Sequence, residues 1–183
     1  MTMGYHKVDV KKLYCQSLQT SIGKLQVAAS KTGICRIDFT WTQRKASKYW
    51  FEIHFANHPQ EGSNSVLKKA LIQLREYFEG ERRSFQVPLD LRGTAFQLRV
   101  WRELAKIPYG FTASYGEIAR QVHNARAGQA VGRAVGANPV PIIVPCHRII
   151  GHDGALVGFG GGLPTKEQLL ELEGARIPFQ RNQ

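Results

Sequence analysis

The sequence predicts an α+β protein of two domains, because its two halves follow different patterns. Short β-favouring runs separated by glycine-containing turns fill the first forty of 183 residues. Apolar residues at helical spacing dominate after Asp90–Gly93, where the pattern changes. We therefore predict a mixed β-sheet domain with a helix over residues 1–92 and a mainly helical domain over residues 93–183.

The first domain contains four predicted strands: Leu13–Ser17, Ile22–Ala29, Ile34–Phe39 and Phe85–Leu89. The segment Trp41–His58 is aromatic and basic, and its pattern does not distinguish helix from strand. Ser65 is predicted to be the N-cap of a helix over Val66–Phe78, which Gly80 ends.

Helix-start signals recur through the second domain. Thr94 is predicted to cap a helix that runs to about Lys106, and Ser114 to cap a second one, with Glu117 completing a capping box. A turn at Asn124 leads to a third helix. The second, third and last helices are predicted over Tyr115–His123, Arg126–Ala137 and Pro164–Glu173. Two short helices joined by a tight turn are typical of a helix-turn-helix, although a helical hairpin in a core has the same pattern.

The third helix carries glycine at every fourth position, at Gly128, Gly132 and Gly136. Each glycine costs a helix up to about 1 kcal/mol. Close approach of a backbone or a groove wall to that face would explain them.

The segment Pro141–Ile150 contains a cysteine between an apolar run and a polar pair. The run predicts a short buried strand that the prolines limit in length, so Cys146 would lie at a rigid strand end beside His147 and Arg148. Neighbouring positive or proton-accepting groups lower a thiol pKa, which favours a reactive cysteine. The alternative is that Cys146 is a small buried apolar residue.

The net charge of +11 favours a polyanionic partner, most often nucleic acid, although some proteins are merely basic. The excess surrounds the cysteine, because residues 99–148 contain seven basic and two acidic side chains. A reactive group within a basic region suggests that the substrate is itself polyanionic.

Other features exclude some classes of protein. No apolar stretch approaches the roughly 20 residues needed to span a bilayer, and the polar N-terminus lacks a secretory h-region. We therefore expect three reduced cysteines and a cytoplasmic location, or a nuclear one in a eukaryote. His54 and His58 have metal-like spacing without nearby partners, so we expect neither a metal nor a cofactor.

Four segments resemble the O6-alkylguanine-DNA alkyltransferases, a family also called methylated-DNA–protein-cysteine methyltransferases. They are Asn138–Pro139, Val144–Arg148, the glycine-rich Gly158–Leu163 and Leu169–Gly174. The resemblance covers about Thr94 to Gly174, and the N-terminal half is similar to the family's ribonuclease-H-like domain in its order of elements.

The resemblance implies a role for each of five catalytic residues. Cys146 would be the acceptor thiolate, and His147 would deprotonate it through a bridging water while Glu173 orients the imidazole. Tyr115 would donate a proton or hydrogen bond to the departing guanine. Asn138 would brace the turn between the recognition helix and the active-site strand.

The same resemblance implies how the base and the DNA are bound. The guanine would be held by the Ile149 and Gly160 backbone, with Phe159 and Val135 in the pocket and Arg148 packed beneath it. The second helix of the motif would enter the minor groove, and the damaged nucleotide would be rotated out into the pocket. DNA contacts would come from Ser114, Tyr115, Arg126, Gln129, Ala130 and Arg133.

One position departs from the family pattern. Gln129 stands where the family usually carries an arginine that fills the gap left by the flipped base. Glutamine can still hydrogen-bond but brings no charge, which leaves two alternatives: weaker base extrusion, or Arg126 or Arg133 in the arginine's place. We hypothesise that Gln129 itself occupies the vacated stack.

The activity implied is irreversible, single-turnover transfer of the alkyl group from O6-alkylguanine in double-stranded DNA to the protein, which would act as a monomer. O4-alkylthymine is a second substrate that the resemblance leaves open. Two other classes remain: a DNA-binding damage sensor without transfer chemistry, against which Cys146 argues, and a cysteine hydrolase. A hydrolase needs direct thiol–imidazole contact, which strand neighbours do not make because they point to opposite faces.

Overall fold

The computed structural model describes residues 12–42, 44–123 and 128–175. The predicted turn at Asn124 and the predicted DNA contact Arg126 lie outside these ranges.

The N-terminal half is built on a four-stranded sheet. Its strands are β1 (Tyr14–Thr20), β2 (Gly23–Ala29), β3 (Ile34–Phe39) and β4 (Gln60–Glu61), in the order β3-β2-β1-β4. The first three pair antiparallel and β4 pairs parallel with β1. The three strands predicted before residue 40 are confirmed.

Two helices complete this half, α1 (Arg44–Phe55) and α2 (Ser65–Phe78). Most of the segment Trp41–His58, whose pattern did not distinguish helix from strand, is thus helical. Asn64 rather than Ser65 caps α2, because its Oδ1 accepts a hydrogen bond from Leu67 N at 2.8 Å.

The prediction of a fourth strand at Phe85–Leu89 is wrong. This segment forms only an isolated bridge between Leu89 and Ile34, through Ile34 N to Pro88 O at 2.9 Å and Asp90 N to Ile34 O at 2.9 Å. Pro88 has no N–H to donate, which limits the pairing that the segment can make.

The C-terminal half contains four helices and two short strands. These are α3 (Ala95–Leu104), β5 (Ala113–Ser114), α4 (Tyr115–Gln121), α5 (Gly128–Gly136), β6 (Ile149–Ile150) and α6 (Leu163–Leu172). Both predicted caps are confirmed: Thr94 with Gln97, and Ser114 with Glu117, form complete capping boxes.

The apolar run before the cysteine is not a strand. It turns tightly, with Ile142 at a φ of 75° and Val144 N donating to Val140 O at 2.9 Å. Cys146–Arg148 then forms a single 3₁₀ turn. The local apolar pattern cannot distinguish a strand from such a buried turn.

The two halves share one continuous cluster of buried apolar side chains, from Leu18 in β1 to Leu169 in α6. Trp101 is buried between α3 and α5, and its indole Nε1 donates to Ala134 O at 2.8 Å. No helix among the described residues has the length and apolar character required to cross a bilayer.

Candidate active site

Cys146 lies at the wall of a cavity of about 540 Å³ that both halves of the chain enclose. The C-terminal half provides α4, α5 and the glycine-rich loop, and the N-terminal half provides the end of β3. The lining includes Asp38, Phe39, Thr42, Tyr115, Gly132, Val135, Asn138, Cys146, Gly158, Phe159 and Gly160. The cysteine is 7% exposed, so a reactant reaches its thiol only through this cavity.

The thiol at rest is protonated, contrary to the expectation of a depressed pKa. Burial raises the pKa of Cys146 to about 11, although a hydrogen bond with the Asn138 side chain and the charge of Lys166 lower it in part. Desolvation of the thiolate outweighs these groups. Reaction at neutral pH therefore requires that a base remove the proton.

His147 is the nearest base in sequence, and it is completely buried. Its Nε2 lies 2.9 Å from Oε1 of Glu173. Since an ionised carboxylate only accepts hydrogen bonds, Nε2 carries the ring proton. Nδ1 has no hydrogen-bond partner among the described residues, and burial lowers the His147 pKa. The ring therefore presents a free lone pair that can take a proton through a bridging water.

Glu173 is held as an anion at the C-terminal end of α6. Burial opposes its ionisation, but hydrogen bonds from His147 and Arg148 hold its pKa at about 2. Arg148 donates from Nε to Oε2 and from Nη2 to Oε1, both at 2.8 Å. Gly110 N donates to Oε2 at 3.2 Å. The buried arginine thus lies where a structural role was predicted, and it neutralises the carboxylate.

Asn138 braces the turn before the cysteine, in the position predicted. Its Nδ2 donates to Val144 O at 2.8 Å, and its Oδ1 accepts from Val140 N at 3.0 Å. One amide therefore ties the end of α5 to the segment that leads into the 3₁₀ turn.

Tyr115 begins α4 and faces the cavity. Burial raises its pKa, and the nearby Cys146 adds to the shift, so the hydroxyl is a neutral donor. Gly132 of α5 lies against the ring, where an added Cβ would be 3.9 Å away. Ser114 is engaged in the α4 capping box, through Glu117 N to its Oγ at 3.2 Å.

The predicted base-binding residues surround this cavity, with one exception. Phe159, Gly160 and the buried Val135 line it. Ile149 does not, and its carbonyl oxygen already accepts a hydrogen bond from Lys166 Nζ. A carbonyl has a second lone pair, so the predicted contact of Ile149 with guanine stays a prediction.

The outer face of α5 is exposed beside the cavity mouth. Gln129 and Arg133 are exposed and Ala130 is half-buried. Added Cβ atoms at Gly128 and Gly136 would meet nothing within 4 Å. Packing among the described residues therefore does not require a glycine at either end of α5.

His54 in α1 and His58 beyond its end do not form a metal site among the described residues. His58 Nε2 lies 3.1 Å from Glu52 Oε1, and the His54 ring lies 4.7 Å from that of Trp50. No group of three or more metal-ligating side chains occurs in the described part of the chain. Cys15 and Cys35 are buried free thiols.

Two family models match the chain, one in each half. The ribonuclease-like domain of 6-O-methylguanine DNA methyltransferase matches residues 13–91, and the DNA binding domain of the same protein matches residues 95–175. The chain belongs to this methyltransferase family. Both the resemblance and the α+β fold class predicted from sequence are thereby confirmed.

Several curated members of the family are similar over most of their length. The methylated-DNA–protein-cysteine methyltransferase of Mycobacterium leprae is 44% identical over 88% of this chain and 92% of that protein. The Haemophilus influenzae protein of the same name is 40% identical over 91% and 88%. The Mycobacterium tuberculosis protein is 59% identical over a shorter match, 60% of this chain and 66% of that protein.

Solved structures of the family share the fold. The crystal structure of Mycobacterium tuberculosis O6-methylguanine methyltransferase has a TM-score of 0.76 and 43% identity, covering 92% of this chain and 96% of that one. The structure of the OGT of the same organism in complex with DNA has a TM-score of 0.77 and 42% identity, covering 88% and 92%.

Four groups near this methyltransferase site were missed by sequence reasoning. Phe39 packs edge-on to Phe159 with ring centroids 5.4 Å apart, and Trp41 Nε1 donates to Gly161 O at 3.1 Å. Lys166 is fully buried, and its Nζ donates to Val157 O at 2.7 Å. This hydrogen bond fixes the residue that precedes the glycine-rich loop. Tyr77 donates to Glu173 at 2.7 Å. The aromatic content of residues 41–58 weakly indicated that Trp41 has a role. Nothing in the local sequence distinguished Phe39, Tyr77 or Lys166 from ordinary core residues.

Proposed function

We propose that this protein repairs DNA by transferring the alkyl group of O6-alkylguanine irreversibly to its own Cys146, once per chain. It is then a methylated-DNA–protein-cysteine S-methyltransferase whose acceptor is a residue of the protein itself. O4-alkylthymine is a second candidate substrate.

One observation supports this proposal most. The buried thiol lines a cavity beside α5, and the neighbouring His147 is a neutral imidazole whose Nδ1 has no partner among the described residues and whose Nε2 is hydrogen-bonded to a carboxylate. A cavity of about 540 Å³ has room for a single extruded nucleobase.

The proposed step exchanges one bond for another at the alkyl carbon. The Cys146 proton passes through a water to Nδ1 of His147, and the sulfur attacks the carbon. The S–C bond forms as the C–O6 bond breaks, and the electron pair remains on guanine. Tyr115 hydrogen-bonds the departing base, which becomes an ordinary guanine by taking one proton from solvent. His147 releases the proton of Cys146 to solvent, so one proton is lost from sulfur and one is gained by the base.

Extrusion of the base is required because the alkylated atom lies on a base edge inside the duplex. We propose that α5 lies in the minor groove, where its exposed glycines allow close approach and Arg133 contacts phosphate. Arg126 is a further proposed contact, outside the described residues. Ala130 lies in α5 itself, Ser114 caps α4 and Tyr115 begins it. We propose that these three residues share the DNA-binding surface. Gln129 is proposed to fill the vacated stack.

The proposal extends to the organisation of the chain. We assign the catalytic and DNA-binding functions to residues 93–183 and the supporting fold to residues 1–92. The protein would act as a monomer on double-stranded DNA, without a metal or cofactor, in the cytoplasm or, in a eukaryote, the nucleus.

A cysteine hydrolase remains the competing activity, since Cys, His and Glu form a legitimate triad. Nδ1 of His147, the ring nitrogen that does not face Glu173, makes no hydrogen bond with the thiol. That arrangement favours a water-bridged relay over a thiolate–imidazolium pair.

The experiment is intact mass spectrometry after incubation with duplex DNA that contains one O6-methylguanine. We expect a gain of one methyl group per chain on the peptide with Cys146, no gain in Cys146→Ser, and an unchanged gain in the control Cys35→Ser. Repeated turnover without an adduct would instead identify a hydrolase, and binding without loss of the lesion would identify a sensor.

A further inference from the structure

Tyr77 brings a hydroxyl group from the N-terminal half into the centre of the catalytic relay. It lies in α2, is completely buried, and donates to Oε1 of Glu173 at 2.7 Å. The same oxygen accepts the ring N–H of His147 at 2.9 Å. A phenol and an imidazole therefore share one carboxylate oxygen.

The Tyr77 hydroxyl is a neutral donor at physiological pH. Burial raises its pKa well above the ordinary value, and the adjacent negative charge of Glu173 raises it further. The ring is fixed by other aromatic rings, with centroids 5.4 Å from Phe85 and 6.1 Å from Tyr109. The hydroxyl is thus held against the carboxylate by packing on both sides.

We infer that Tyr77 is a positioning residue of the alkyl-transfer site, which fixes the Glu173 carboxylate and limits how strongly it stabilises the protonated form of His147. The inference rests on the function proposed above. A donor at Oε1 withdraws negative charge from the oxygen that faces Nε2, so the imidazolium gains less from the carboxylate. His147 then stays neutral at physiological pH and keeps Nδ1 free to accept the thiol proton.

Other charged or titratable groups also face this relay and set the background against which Tyr77 acts. They are Arg148 and Cys146 in the 3₁₀ turn, Lys166 in α6, and Tyr109 in the loop after α3. Arg148 is the principal counter-charge of Glu173, so the carboxylate remains ionised when the phenol is removed.

The test is the pH dependence of methyl transfer in single turnover, with protein in excess over O6-methylguanine duplex. Tyr77→Phe removes one oxygen and keeps the ring. We expect its acid limb to move to higher pH, so that on the acid side of both midpoints the rate relative to that at pH 8.5 is about threefold to tenfold lower than in wild type. That fall corresponds to a shift of about half to one pKa unit.

Tyr109→Phe is the matched control. Its hydroxyl donates to Leu172 O at 2.8 Å, close to the relay but not on the carboxylate. We expect its acid limb to coincide with that of wild type. In the opposite direction, 3-fluorotyrosine placed at position 77 is a stronger donor and should move the limb to lower pH.

A second readout separates this inference from the proposed activity. ¹⁵N NMR titration of the His147 ring reports its protonation without any DNA, and the ring should protonate at higher pH in Tyr77→Phe. Coincident titrations in the folded variant and wild type would overturn the inference, as would equal shifts in the Tyr109 control. Failure of wild type to take up methyl would overturn the proposed function and leave the NMR result to decide the role of Tyr77.

Discussion

At the scale of single residues, the Cys146 thiol is less reactive at rest than the adjacent His147 and Arg148 suggest. Burial raises the pKa of Cys146 to about 11, so few chains carry a thiolate at neutral pH. This protects the thiol from small electrophiles in solution. In the proposed reaction, ionisation of the thiol is coupled to proton uptake by His147, whose pKa burial lowers.

Glu173→Gln tests the group on which the relay depends. The side chains of Tyr77, His147 and Arg148 all donate hydrogen bonds to Glu173, and the NH₂ group of a glutamine cannot accept them. The buried guanidinium of Arg148 would also lose its counter-charge. We expect a loss of about 3–5 kcal/mol in the free energy of unfolding. Methyl transfer should fall by about a hundredfold or more, the range that positioned acid–base groups contribute.

Urea unfolding and single-turnover rates measure these effects. Glu171→Gln is the control, since Glu171 is exposed on the same helix and should match wild type in both assays. A Glu173→Gln protein as stable and as fast as this control would contradict the assigned role.

At the scale of elements, the structure follows the sequence where local chemistry decides. Thr94 and Ser114 were predictable as helix caps because capping boxes are local. The segment before Cys146 was predicted wrongly, because the left-handed conformation of Ile142 depends on tertiary contacts. Ile142 is fully buried, and the amide of Asn138 holds the turn around it.

The exposed face of α5 gives the prediction that belongs to this scale. Gln129→Ala should slow methyl transfer from duplex DNA about threefold to tenfold, the effect of one lost hydrogen bond. Transfer from single-stranded DNA should not change, because no stack needs to be filled there. Methyl transfer from duplex DNA by Gln129→Arg should be as fast as by wild type or faster.

Single-turnover rates on matched duplex and single-stranded oligonucleotides make this measurement. Gln168→Ala, at an exposed position of α6, is the control. An equal rate on duplex for Gln129→Ala and wild type would rule out a stack-filling role for Gln129.

At the scale of the whole molecule, the two halves form one site. Tyr77 and Glu173 are 96 residues apart in sequence, and Trp41 and Gly161 are 120 apart, yet each pair is hydrogen-bonded. No periodicity or motif in one sequence reports such long-range contacts. The sequence therefore indicated candidate site residues that adjoin Cys146 in a recognisable motif, and not the N-terminal side chains that contact the site.

Net charge sets the expected strength of DNA binding at this scale. A protein of charge +11 that contacts several phosphates should lose at least about tenfold in affinity between 50 and 200 mM salt, since each contact releases counterions. Arg133→Gln should reduce the slope of log affinity against log salt by about one.

Fluorescence anisotropy with labelled duplex measures this slope. Lys68→Gln, an exposed substitution on α2, should leave the slope unchanged. Affinity that barely responds to salt would contradict a basic DNA-binding face around the cysteine.

The most direct measurement follows the alkyl group itself. A duplex whose O6-methylguanine carries a deuterated methyl is incubated with the protein, and both products are analysed by mass spectrometry. The account predicts the intact label on the sulfur of Cys146, in a ratio of one per chain, and unmodified guanine in the strand. Label released to solvent as a small molecule, or guanine repaired equally well by Cys146→Ser, would contradict it.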